Sequence, residues 1–238
     1  MSNPPSQDEP GPREPCATVF ARMVDVPIDA VDKLIATTEA VYADLNQVLG
    51  HPYWGDLVLQ QGAAVRAMKE ARESLEAFRS EAIGARNTEL GITVATGVVD
   101  GQRHYAQTGD DKQALVDRVM RPQKAQSACH LYVWDRPYDN EAAPGPYQQI
   151  RVVTDVEEQV GVLNFTEEAE DGELHSWHTL NPEPIAGAPV LKFDAGSALA
   201  FPRDAVLSWD DLRAALAEFT GAGLRPERVQ WQKARWGE

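Results

Sequence analysis

Cysteine is scarce in this chain, with two among 238 residues. Cys16 lies in a proline-rich stretch and Cys129 beside an expected strand, so the pair builds neither a disulfide framework nor a zinc-ligand spacing. Long apolar runs are missing too: none approaches the ~18 residues that a membrane span requires. No secretory leader pattern opens the chain, which makes the cytoplasm the expected compartment and leaves the Asn164-Phe165-Thr166 sequon without consequence. Phosphate-cradling glycine loops, a nucleophile elbow and a dinucleotide fingerprint are absent as well, since Gly221-Ala222-Gly223 closes a helical pattern instead of opening one.

Positive charge is the other shortage. Against 37 acidic residues stand 22 basic ones, a net of -15, and the surplus is uneven. Residues 155–218 hold 14 acidic residues and only Lys192, Arg203 and Arg213 as cations, a net of -11 that leaves -4 for the rest. Such a field repels nucleic acid and accelerates encounter with a basic protein surface, within a screening length of about 8–10 Å. An acidic surplus also serves solubility alone.

The ordinary hydrophobic content of 43% suffices for one large domain or two small ones. Residues 1–17, crowded with proline and charge, are expected to be a flexible leader. From Asp29 to Leu49, Val31, Leu34, Ile35, Thr38, Val41, Tyr42, Leu45 and Val48 fall at helical spacing, with Pro27 and a capping Asp29 as the opening signals. Gly50-His51-Pro52-Tyr53-Trp54-Gly55 interrupts the pattern. A second helix is predicted over 56–85 from Leu57, Val58, Gln61, Ala64, Val65, Met68, Ala71, Leu75, Phe78 and Ile83, with pairs such as Lys69 and Glu73 on its other face. Residues 18–90 therefore read as an antiparallel helical hairpin extension, packed on the rest of the chain or on a second copy of itself. Trp54 and Gly55 are adjacent, whereas WXG-type hairpins separate them by one residue, so Tyr53 and Trp54 read as turn-packing aromatics.

Residues 91–238 carry the sheet. Asp100-Gly101 marks a hairpin turn, a helix over 110–120 is predicted with Asp110 as its cap, and His130–Trp134 begins the next strand. Further strands are expected at 147–154, 159–165, 174–179, 190–193 and 228–232. Strands exchanged through short turns indicate an α+β fold, an antiparallel sheet covered by helices. Near the end, Ser208 caps a helix with Asp210 and Asp211 in its first turn, Asp211 in the capping-box position. Leu212, Ala215, Leu216 and Phe219 form its apolar face, and Gly221 and Gly223 supply left-handed terminal turns before Pro226. Val229 and Trp231 then alternate with polar residues as a strand with one buried face.

Catalytic groups do not assemble. His175 and His178 point to opposite faces of a strand, as do Cys129 and His130, so neither pair converges on a metal or an activated thiolate. Glu167-Glu168-Ala169-Glu170-Asp171-Gly172-Glu173 lacks the alternating ligands of a calcium loop and reads as a solvated hairpin turn. The chain is expected to be no enzyme and to use neither cofactor nor metal.

The segments Trp177-His178-Thr179-Leu180-Asn181-Pro182, Leu191-Lys192-Phe193-Asp194, Phe201 to Val206, Leu212 to Phe219 and Arg225-Pro226 to Gln232 together resemble the actinobacterial immunity proteins of polymorphic toxin systems, the first numbered family (Imm one). The resemblance covers about residues 95–233 and is firmest from 160 onward. It implies a small α+β protein that binds and blocks a cognate toxin, often a nucleic-acid deaminase or another enzyme acting on nucleic acid. It carries no catalytic residues across, and residues 1 to about 90 lie outside it.

Under that resemblance, two acidic segments with aromatic neighbours become candidates for the toxin-binding surface. One is Glu167, Glu168, Glu170, Asp171 and Glu173 with Trp177; the other is Trp134, Asp135, Tyr138, Asp139 and Glu141. Carboxylates would pair with the toxin's Lys and Arg while an aromatic ring fills its cleft, excluding substrate. Trp134 and Trp177 admit two readings, sheet-core tryptophans or interface anchors, whereas Trp231 reads as core. The partner is thus expected to be a toxin domain with a basic surface, with no nucleic acid or membrane bound. A different class also fits, a self-associating adaptor whose helical hairpin is the binding element.

Overall fold

The computed structural model describes residues 16–46, 55–139, 145–169 and 171–234, and the chain divides into two compact units, Met1–Ala82 and Ile83–Glu238. The expected leader as far as residue 15 and the turn containing Tyr53 and Trp54 lie outside the described residues.

In the first unit, α1 (Cys16–Asn46) meets α2 (Gly55–Leu90). Asp25–Arg79, Asp32–Arg72 and Glu39–Lys69 pair in reverse sequence order, so the two helices run antiparallel as the sequence predicts. Ile28, Val31, Ile35 and Thr38 on α1 and Gln61, Val65, Met68, Arg72 and Leu75 on α2 are covered wholly or in part and recur at steps of three and four. That spacing is the seam of a two-stranded coiled coil. Two expectations need correction. Pro27 is inside α1 and not at its start, because one missing N–H costs a single hydrogen bond in a 31-residue helix. Lys69 reaches across to Glu39 at 2.7 Å instead of along its own helix to Glu73.

The second unit is built on one antiparallel sheet. After α2, β1 (Val94–Val99) and β2 (Gln102–Ala106) form a hairpin whose Asp100 and Gly101 both have positive φ, 52° and 82°, the type I′ geometry that suits the right-handed twist of paired strands. Then come α3 (Gly109–Met120), β3 (Cys129–Trp134), β4 (Gln148–Asp155), β5 (Val160–Glu168) and β6 (Leu174–Leu180). The two-residue β7 (Leu207–Ser208) leads into α4 (Trp209–Ala222), and β8 (Gln230–Lys233) follows. The strand order is β2-β1-β3-β4-β5-β6-β8, with β7 on β5.

Caps follow local chemistry, with some shifts from the sequence reading. Thr108, not Asp110, caps α3 by accepting the Asp111 amide, which leaves Asp110 and Asp111 free to oppose the helix dipole. Ser208 caps α4 as expected: its Oγ accepts the Asp211 amide at 3.2 Å and donates to the Asp211 carboxylate at 2.6 Å. Gly221 continues the helix and Gly223 alone takes the left-handed conformation that ends it. The strand expected at 190–193 is instead a clasp. Phe201 N donates to Leu191 O and Phe193 N to Leu199 O, both at 2.9 Å, so these amides pair within the segment and do not join the sheet.

Both faces of the sheet are covered around its centre. Leu131, Ile150, Val152, Leu163 and Phe165 meet α3 and α4 through Leu115, Val116, Leu212, Leu216 and Phe219. One residue out of phase, Val153 and Val162 face the other way and meet Leu191, Phe201, Ala205 and Val206. Helix α4 approaches β5 so closely that a Cβ on Gly161 would stand 2.6 Å from Leu212 Cδ2 and 3.0 Å from the Val153 carbonyl. Gly161→Ala should therefore cost about 1–3 kcal/mol through overpacking, read as a lower midpoint in urea unfolding at unchanged slope.

Candidate functional site

Strand register decides which loops meet. Tyr132 pairs with Gln149, Gln149 with Thr166 and Thr166 with Ser176, forming one row across β3, β4, β5 and β6. Beyond that row the chain leaves β3 into the segment before β4 and leaves β5 into the turn before β6. The two acidic segments therefore emerge side by side at the same end of the sheet. They are tied directly, since Glu168 N donates to the Tyr147 carbonyl at 2.8 Å.

The β5–β6 turn is compact and outward-facing. Ala169 N donates to Glu173 O and Gly172 N to Ala169 O, both at 2.9 Å, while Asp171 Oδ1 accepts the Glu173 amide at 3.0 Å. Glu168, Asp171 and Glu173 are exposed and Glu167 is half-buried. Glu170 lies outside the described residues, as does Glu141.

The other segment is divided. Asp139 is exposed. Asp135 is engaged internally: Arg136 Nε donates to its carboxylate at 2.7 Å, Asn87 Nδ2 to its carbonyl at 2.6 Å, and the Thr88 hydroxyl to Oδ2 at 3.4 Å. Arg136 is itself buried, with its guanidinium 4.5 Å from the centre of the Trp134 ring. This buried pair fixes the root of the loop and neutralises one of its carboxylates. Tyr138 packs on Tyr132 at 4.7 Å between ring centres and its amide donates to Thr96 Oγ1 at 3.0 Å.

Trp177 is half-buried on the core, 6.0 Å from Phe165, and its outer side carries the Arg225 guanidinium at 4.4 Å. Trp231 also packs on Phe165, and its Nε1 donates to the Pro226 carbonyl at 2.7 Å, satisfying the indole inside the core.

Two apolar side chains at this end went unnoticed in the sequence reading. Tyr147 is 72% exposed and Leu174 68% exposed, and Leu174 sits opposite Glu168 in the register. Leu174 shares its strand face with Ser176 and His178, and an apolar residue leading that polar-phase set was the available signal. Tyr147 gave the same signal, leading Gln149 and Arg151 in the polar phase of the strand expected from residue 147. The site thus presents exposed carboxylates around an exposed aromatic and an aliphatic side chain.

No group of three His, Cys, Asp or Glu among the described residues is placed to hold a metal ion. His175 and His178 do face opposite ways, and His178 is buried. Burial pushes the Cys129 thiol up to about 12, so it is not a thiolate at neutral pH. In a Cys16→Ser background, a thiol reagent should leave Cys129 unmodified in the native protein and label it stoichiometrically in denaturant.

Burial also lowers the pKa of His178, with Asp204 and Gln232 opposing, so the folded protein holds this imidazole neutral. Below the unfolded value of about 6.5 the unfolded chain binds the proton more readily, so stability falls as pH drops through this range. The urea midpoint should decline between pH 7.5 and 5.5 in the wild type and decline less in His178→Gln. Part of the slope should survive, since burial and Arg118 lower the pKa of His104 as well.

The residues in the segments that carry the resemblance hold one another in place. Thr179 Oγ1 donates to Ala205 O at 2.7 Å, Asn181 Nδ2 to Val206 O at 3.0 Å, and Gln232 Nε2 to Asp204 Oδ1 at 3.1 Å. None of the curated proteins matches this chain. Residues 100–233 match the model of immunity protein Imm1, and the chain belongs to this family of immunity proteins, which act against toxins.

Proposed function

We propose that the end of the sheet formed by Asp139, Tyr147, Glu167, Glu168, Asp171, Glu173 and Leu174 is the toxin-binding surface. The protein would act there without catalysis, in the cytoplasm, by occupying the active site of a nucleic-acid-targeting enzyme such as a deaminase. The observation that carries this reading is the convergence of two acidic segments around an exposed Tyr147 and Leu174. A cleft that holds nucleic acid is lined with Lys and Arg to meet phosphate. Carboxylates at this end of the sheet suit that lining, and they steer encounter and set register more than they add affinity. Tyr147 and Leu174 supply apolar contact within the acidic rim, the arrangement in which anchoring side chains carry most of the binding energy. Glu141 and Glu170 add charge to the same two segments in the sequence. Trp134 and Trp177, each stacked under a guanidinium, support this surface from beneath.

Co-expression with the C-terminal domain of a candidate toxin, sought among large genes neighbouring this one, tests the reading, with host survival and co-purification as readouts. Rescue with a stable complex is expected. In surface-binding kinetics, Glu167→Lys/Glu168→Lys/Asp171→Lys should slow association by about tenfold or more at low salt, and added salt should slow the wild type. Tyr147→Ala should act mainly on dissociation and cost more than about 1 kcal/mol. An active toxin that is neither neutralised nor bound would defeat the proposal, and unchanged association of the charge-reversed protein would remove this end of the sheet from the interface.

A further inference from the structure

The helical hairpin is short of core. Of its described side chains in the first unit, only Ile35 is buried, while Val26, Leu34, Val41, Leu59 and Phe78 are 46–72% exposed. These five are not scattered. On α1, Val26, Ala30, Leu34, Thr37 and Val41 recur at steps of four, four, three and four; on α2, Leu59, Ala63, Ala67, Ala71, Ser74 and Phe78 recur at steps of four, four, four, three and four, and every one is exposed and uncharged.

Helix geometry places both stripes on one side of the hairpin. At 100° per residue each outer stripe lies roughly 120° around its own helix from the seam, in the same rotational sense. Antiparallel neighbours turn equal rotations toward a common side. Asp25, Asp32, Glu39 and Lys69 of the interhelical ion pairs lie on the opposite rotation from the seam, and Arg72 and Arg79 reach toward their partners from the seam itself, so the hairpin has a charged side and an apolar one. Val26 and Phe78 stand at the same level, next to the Asp25–Arg79 pair.

The apolar face is also chemically ready for burial. Thr37 Oγ1 donates to Lys33 O at 2.8 Å and Ser74 Oγ to Glu70 O at 2.9 Å, so covering it strands neither hydroxyl. We infer that this face binds the same face of a second copy of the chain, making a four-helix bundle from two hairpins. Charge selects this occupant. In a protein of net charge -15, a basic partner would be met with carboxylates, whereas the eleven stripe positions carry no charge, with Glu70 at their margin, and match an equally uncharged surface. Size agrees: the stripes span about 22 Å on α1 and about 28 Å on α2, so pairing covers on the order of 1,000 Å² in total, the scale of a specific interface. The small Ala and Ser positions between the larger ends let the helices of the two copies approach closely. This inference is independent of the toxin-binding surface.

Sedimentation of the full-length chain between about 1 and 100 µM is expected to show a dimer that persists in 1 M NaCl, because its interface is uncharged. Leu34→Glu/Phe78→Glu should raise the dimer dissociation constant at least tenfold at unchanged helicity, while Glu39→Gln on the charged face should leave it unchanged. A wild type that stays monomeric at 100 µM overturns the inference, and so does a dimer indifferent to the double substitution. A monomeric wild type whose toxin affinity falls in the double variant assigns the face to the toxin and also overturns it. Should the double variant lose helicity, hydrogen exchange of the wild type decides. Protection over residues 26–41 and 59–78 that grows with concentration supports the dimer, and protection independent of concentration refutes it.

Discussion

Phe165 lies at the centre of the second unit, fully buried, with Trp177, Trp231 and Phe219 within 6.4 Å of its ring centre. Those four rings come from β5, β6, β8 and α4, so one packing cluster joins the far strands of the sheet to the helix above them. Removing such a ring from a close-packed interior leaves a cavity its neighbours fill only in part. The cluster also sets the height of the candidate site, since Phe165 pairs directly with Trp177 and Glu167 lies two residues further along the same face. Arg225 closes it from outside by lying over Trp177.

Around that centre, order and charge are separated. The segments that carry the family resemblance are spent on internal bonds such as Thr179 to Ala205 and Gln232 to Asp204. Carboxylates gather instead on turns, where backbone needs are met locally and side chains are left facing water.

Much of the local structure was legible from the residues. Asp100-Gly101 dictated its turn because few residues other than Gly, Asn and Asp accept positive φ, and the Ser208–Asp211 cap followed from hydroxyl and carboxylate chemistry within four residues. Errors fell where longer-range competition decides. Pro27 looked like a helix start, yet the turns flanking it hold the helix on both sides. The 190–193 segment looked like a strand by alternation, but its nearest hydrogen-bonding partner was 199–201 and not the sheet edge.

By itself the sequence determined the class of fold, the antiparallel hairpin, the capping of α4 and the two acidic segments, because each rests on periodicity or on groups a few residues apart. Only the tertiary structure decided that those segments share one end of the sheet, for strand register is a property of pairs distant in sequence. It also decided that Asp135 is neutralised by Arg136 while Tyr147 and Leu174 stand exposed. Burial depends on what packs over a side chain, and no local pattern records it.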